Sequence, residues 1–217
     1  MPVDQLSMIP FLIEFQRLDI ENLVIFFISV LAAVTVNAES QAMMATTLGD
    51  IQRNSKERFH FNPFLHMDIP GILCFAVAGF GWARPVSVEP RRFKHPRIYL
   101  ILTRFAGPFA NLLLAGIAGS IVSLMQNLGV EDQVFKKLLS VNLMVFVFNF
   151  LPIPPLAGAS LFSSFLVKGK KTWVSISAKT IPYLFVIILI FIRISHVKIL
   201  DATLYPIVRD LFFFITR

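Results

Sequence analysis

Long apolar runs separated by short charged stretches set the pattern of this chain. Asn22 to Gly49 carries one charge, Glu39, and Ile98 to Val130 carries one, Arg104. Leu138 to Val167 has none over 30 residues, and a further apolar run covers Thr180 to Ile194. A helix needs about 20 apolar residues to cross the hydrocarbon of a bilayer, so the longer runs predict spanning helices. Residues 69–83, IPGILCFAVAGFGWA, are uncharged but only 15 long, with Pro70, Gly71, Gly79 and Gly81. That is short for a span and predicts a re-entrant or strand-like segment. The expected fold is an all-α polytopic membrane protein of about four to six membrane segments, formed as a single domain over 1–217.

The runs are not uniform. The second half of the first, VNAESQAMMATTLGD, is polar and small, as expected of a surface facing the protein interior. In the next, Gly107, Asn111, Ala115 and Gly119 recur every four residues and predict a stripe where helices approach closely. Pro152, Pro154 and Pro155 interrupt 138–158 at membrane depth, predicting a broken helix. Backbone freed by such a break must be buried in protein or line a cavity, which makes this a candidate binding site. Surface exit near Leu151 is the alternative. Residues 1–20 and the tail after Val197 read as interfacial helices.

Composition agrees. Hydrophobic residues make up 56 % and charged residues 15 %, against roughly a quarter charged in soluble domains. The net charge of +7 reads as loop bias at a membrane surface rather than a nucleic-acid footprint. A lone Cys74 permits no intramolecular disulfide and reads as a buried inert thiol, and the first span lacks a basic leader before it. If 69–83 dips and returns, the basic stretches 50–68, 84–97 and 168–179 share one face, and positive-inside bias makes it cytoplasmic. Arg193, Lys198, Arg209 and Arg217 in the C-terminal part run against that arrangement.

Four stretches carry a resemblance: VNAESQAMMATTLGD; FNPFLHMDIPGILC leading into FGWARPVSVEPRRFKHPR; RFAGPFANLLLAG; and VNLMVFVFNFLPIPPLAG. In order and spacing they resemble the site-2 protease family of intramembrane zinc metalloproteases, in its compact prokaryotic branch. The resemblance covers residues 22–165, with 180–217 adding little. It implies a helix bearing His-Glu-x-x-His, whose two His ligate Zn²⁺ while the Glu acts as base, and a third ligand from an Asp in the proline-rich break. On those positions this chain has Asn37, Ala38, Gln41 and Ala157, while Leu48, Gly49, Asp50, Pro154, Pro155 and Gly158 keep the pattern.

The resemblance therefore implies a catalytically inactive homologue, with the family's zinc lost and no metal site or cofactor of its own. The expected partners are the lipid bilayer and a transmembrane segment of another protein, or the subunits of a membrane complex, with no nucleic acid. The expected groove comprises Asn142, Asn149, Pro154, Pro155 and Gly158. Asn149 also reads as a cap on the broken helix. The expected location is a prokaryotic inner membrane. Two alternatives stand beside this reading: an active metalloprotease with relocated ligands drawn from His66 or Asp68, and a polar path for an ion or solute. Glu39 lies about 200° around the helix from Asn37 and should face away from that site, toward lipid or a packing surface. His60, His95 and His196 read as surface or interfacial groups.

Overall fold

The computed structural model describes residues 19–51, 59–166, 171–195 and 203–217, and the side chains of these except 162–179 and 193. The helices are α1 (Ile20–Thr47), α2 (Ile69–Ala78), α3 (Pro96–Asn127), α4 (Val134–Phe148), α5 (Ala157–Leu166), α6 (Lys171–Ile194) and α7 (Tyr205–Ile215). Short 3₁₀ turns occupy Pro63–His66 and Pro90–Arg92. The N-terminal interfacial segment, the cations Arg53, Lys56, Arg58, Lys168 and Lys170, the start of the tail and His196 lie outside the described residues.

Helix α1 starts where Asp19 accepts a hydrogen bond from the Glu21 amide, 3.1 Å away. The buried face of α1 includes Ala33, Ala38, Ala42 and Ala45, small side chains that let α3 and α4 come close. At its end Gly49 takes φ +105°, a region that favours glycine, and turns the chain. Asp50 follows, fully buried, and its carboxylate accepts from the Glu89 amide. That bond ties the end of α1 to the turn before α3.

Helix α3 is the long axis of the fold. Its 32 residues extend about 48 Å, against ~30 Å of hydrocarbon. Gly107, Asn111, Ala115 and Gly119 are all buried, so the four-residue stripe is the packing face. The opposite face leaves Leu102, Phe109, Leu113, Ile117 and Leu124 exposed. Among the described residues, α1 and α3 are the helices long and apolar enough to cross a membrane, and Ile69–Ala78 and Thr180–Ile192 are shorter apolar helices.

Residues 69–83 do not form strands. Pro70 sits in the first turn of α2, where its missing N–H costs nothing, and Gly79 in the left-handed region (φ 73°) ends the helix. The chain then doubles back, and Met67 pairs with Ala83 in an isolated antiparallel bridge. The two ends of the segment thus lie side by side. The close return depends on Gly71, where a β-carbon would run into the Trp82 carbonyl. Phe80 stacks on Phe148 of α4, ring centroids 3.5 Å apart, and Trp82 donates to Asp68 at 2.6 Å.

The proline-broken helix is realised as α4, a turn over 149–156 and α5. Helix α7 is partly built into the core. Tyr205 and Val208 are buried, the Tyr205 hydroxyl donates to the Ala78 carbonyl at 2.9 Å, and Ile215 lies against Gly119.

Candidate functional site

A chain of buried amides crosses the interface of α1, α3 and α4. Gln41 donates to Asn37 Oδ1 (2.8 Å), and Asn37 donates to Asn111 Oδ1 (2.7 Å). Asn111 donates to Asn142 Oδ1 (2.8 Å) and to the Ala33 carbonyl (2.9 Å). Asn142 closes the series on the Leu138 carbonyl (2.8 Å). At the other end Arg104 donates to Gln41 Oε1 (3.0 Å) and to the Val86 carbonyl (3.1 Å). Asn37 and Gln41 share a face because four residues separate them, slightly more than one helical turn. Gly107 makes room for Asn37, since a β-carbon there would lie 2.6 Å from its Oδ1.

Asn37 and Gln41, the positions that the resemblance assigns to zinc ligands, do not fit that ion. The donors are neutral amides, weak ligands beside imidazole. The Asn37 and Gln41 oxygens already accept hydrogen bonds, and the guanidinium on Gln41 would repel a cation. Ala38 is buried and offers no donor.

The proline break is held by Asn149. Its Nδ2 donates to the Val145 carbonyl (2.7 Å), its Oδ1 accepts from the Ala157 amide (3.2 Å), and its own carbonyl accepts from Gly158 (2.7 Å). One side chain thus closes the end of α4 and the start of α5, the capping expected of it. Ala157 is buried, a β-carbon at Gly158 would meet the Phe150 and Leu151 carbonyls, and a cis peptide bond joins Pro154 to Pro155. Asn142 is fully buried with both amide ends engaged. A separate apolar cavity of about 360 Å³ lies between α1 and α2, lined by Leu23, Val24, Phe27, Val30, Ile72 and Phe75 among others. None of Asn142, Asn149, Pro154, Pro155 and Gly158 lines it.

On the other side of α1, Glu39 does face away from Asn37 and Gln41, yet it meets no lipid-like surface. It is buried, and His66 Nε2 lies 2.9 Å from its Oε1. The same oxygen accepts from the amides of His60 (3.2 Å) and Phe61 (3.0 Å), and His60 Nδ1 is 3.8 Å from it. Burial holds the His66 imidazole below its ordinary value, outweighing the bond and charge of Glu39 that would raise it. His66 and Asp68 therefore do not act as a pair: His66 turns to Glu39 and Asp68 to Trp82. Sequence reasoning missed the roles of Asn111, Arg104 and His60. A polar residue inside a small-residue stripe and a lone cation inside an apolar run were the available signals for the first two.

An all-helical protein with membrane-length helices and a buried polar centre on the first of them is the class that this fold and site define. The chain is 36 % identical over 151 residues to the Bacillus subtilis (strain 168) protein named "Putative zinc metalloprotease YwhC", covering 65 % of this chain and 69 % of that one. The chain belongs to the family of that protein, in keeping with the site-2 protease-like motifs. No protein-family model matches the chain, and no solved structure does.

Proposed function

We propose that this protein is a membrane-embedded, site-2 protease-like pseudoprotease that holds a transmembrane segment of a partner protein without cutting it. The observation that carries the reading is the state of the inherited centre. Asn37 and Gln41 are bonded to each other, to Asn111 and to the Arg104 guanidinium, which supports reading the resembling family's metal position as filled here by amides. Hydrolysis of a peptide bond needs an activated water and a base beside it. An alanine and two amides supply neither.

Membrane insertion is supported by the broad exposed apolar faces of α1, α3 and α6, far larger than scattered surface leucines require. The full set of four to six membrane segments would add α2 as a re-entrant helix and α4–α5 as a broken one. The Met67–Ala83 pairing supports the re-entrant arrangement, which puts the basic stretches on one, cytoplasmic, face. We assign the groove to Asn149, Pro154, Pro155 and Gly158 at the break, together with Asn142, buried in the helix that precedes it. Backbone groups of an extended segment can pair with such an interrupted turn.

The test is reconstitution in liposomes with model transmembrane substrates, with a photo-crosslinking side chain placed at Ile153. The expected outcome is crosslinking to a partner segment with no cleavage, whether or not Zn²⁺ is supplied. Chelator-sensitive cleavage would overturn the reading.

A further inference from the structure

We propose that Glu39, His60 and His66 form a divalent transition-metal site, suited to Zn²⁺, on the face of α1 opposite the inherited centre. Two imidazoles and one carboxylate are the donor types that ions of this class prefer. The three side chains converge although they come from a helix and from the loop and turn that follow it. One ligand atom from each lies within 4.8 Å of the others. Zn–N and Zn–O bonds of about 2.0–2.2 Å at tetrahedral angles separate ligand atoms by roughly 3.3–3.6 Å. The observed 2.9 Å and 3.8 Å from Glu39 Oε1 to His66 and His60 bracket that spacing. To seat an ion, the three ligand atoms, within 4.8 Å of one another, need to adjust to that spacing.

A second observation points to a ligand. Glu39 Oε2 is buried and has no hydrogen-bond partner, while Oε1 is crowded by two amides and an imidazole. A carboxylate oxygen buried with empty lone pairs is costly, and a cation removes that cost. The surroundings favour an ion in one further way. The His60 side chain is 34 % exposed, which gives an ion a route in and leaves room for water at a remaining position.

The consequence is structural. A bound ion would clamp the segment 60–66 onto α1, and with it the start of α2 and the return strand-like stretch paired to Met67. It would not restore proteolysis at the break, because Glu39 faces away from Asn37 and Gln41.

The test uses the full chain purified in detergent, stripped with chelator and titrated with Zn²⁺, and with Co²⁺ as a spectroscopic probe. The expected result is one Zn²⁺ per chain, a visible Co²⁺ spectrum of low-coordinate type with nitrogen ligands, and a Zn²⁺-dependent rise in melting temperature. Glu39→Gln and His60→Ala should each weaken binding by more than about a hundredfold, beyond the effect of outer-shell changes. His60→Ala, at a partly exposed side chain, keeps the test valid if Glu39→Gln unfolds. Absence of saturable binding would overturn the proposal and leave a plain carboxylate–histidine contact. Binding that survives both variants but is lost in Asn37→Ala would overturn it too, and would also count against the filled-centre reading above. Metal binding without cleavage, by contrast, leaves that reading intact.

Discussion

Asn111 is the residue on which the buried polar chain turns. It links Asn37 on α1 to Asn142 on α4 and sends a bond to the Ala33 carbonyl. Substituting Asn111→Leu would orphan the Asn37 amide and the Asn142 oxygen, each at about 1–3 kcal/mol for a buried unsatisfied group. The expected outcome is a marked fall in the detergent-phase melting temperature, larger than for Asn149→Ala, whose partners lie at helix ends near the break. Gly107→Ala tests the same contact from the other side. Its β-carbon would press on the Asn37 amide, so a loss of roughly 1–3 kcal/mol is expected, read by thermal unfolding. At this scale the sequence named Asn37, Gln41 and Asn142 but not the hub between them, because Asn111 read as one member of a packing stripe. Glu39 shows the opposite failure. Its direction was legible from helical geometry, but its partners were not, since they come from positions 21 and 27 residues away through a connecting loop.

Elements were more legible than contacts. The apolar runs became α1, α3 and the α4–α5 pair, since run length and proline positions are local properties. The strand option for 69–83 failed because Pro70 at a helix start and Gly79 at a helix end bracket a helix of only 10 residues. Two glycines are testable, one at the end of α2 and one at the proline break. Gly79→Ala must place an L side chain at φ 73°, with an expected loss of about 1–2 kcal/mol. Gly158→Ala should be worse tolerated. Its β-carbon meets two backbone carbonyls that cannot rotate away, and the break over 149–156 should become sensitive to added protease. The tail reads differently in structure than in sequence. Helix α7 inserts Tyr205 and Val208 among residues of α2 and α4, so it is part of the packed body as well as an amphipathic face.

For the whole molecule the central question is how it sits in a bilayer. With α3 crossing the bilayer, Arg91 and Glu131 belong on opposite sides of the membrane. Both are exposed, and Cys74 is buried, so single cysteines placed at these positions in a Cys74→Ala background report sidedness cleanly. Labelling by an impermeant thiol reagent should reach Glu131→Cys from outside intact cells and Arg91→Cys only after permeabilisation. Labelling of both from one side would reject α3 as a spanning helix and, with it, the proposed topology. Alkaline extraction should leave the protein in the membrane pellet, as expected where α1, α3 and α6 expose continuous apolar faces.

Local pattern determined the helical class, the long apolar runs, the proline break and the motifs that place the chain in its metalloprotease family, because each is written in adjacent residues or in periods of three to four. Through the resemblance it also gave the expectation that Asn37, Ala38 and Gln41 stand where the resembling family carries its reacting residues. Only the tertiary structure decided what those side chains touch. The amides closed into a chain with Asn111 and Arg104, and Glu39, His60 and His66 came together on the far side of the same helix. The physical reason is distance along the chain: hydrogen-bond partners and metal ligands are chosen by loop paths and helix packing, which hydrophobic periodicity does not encode.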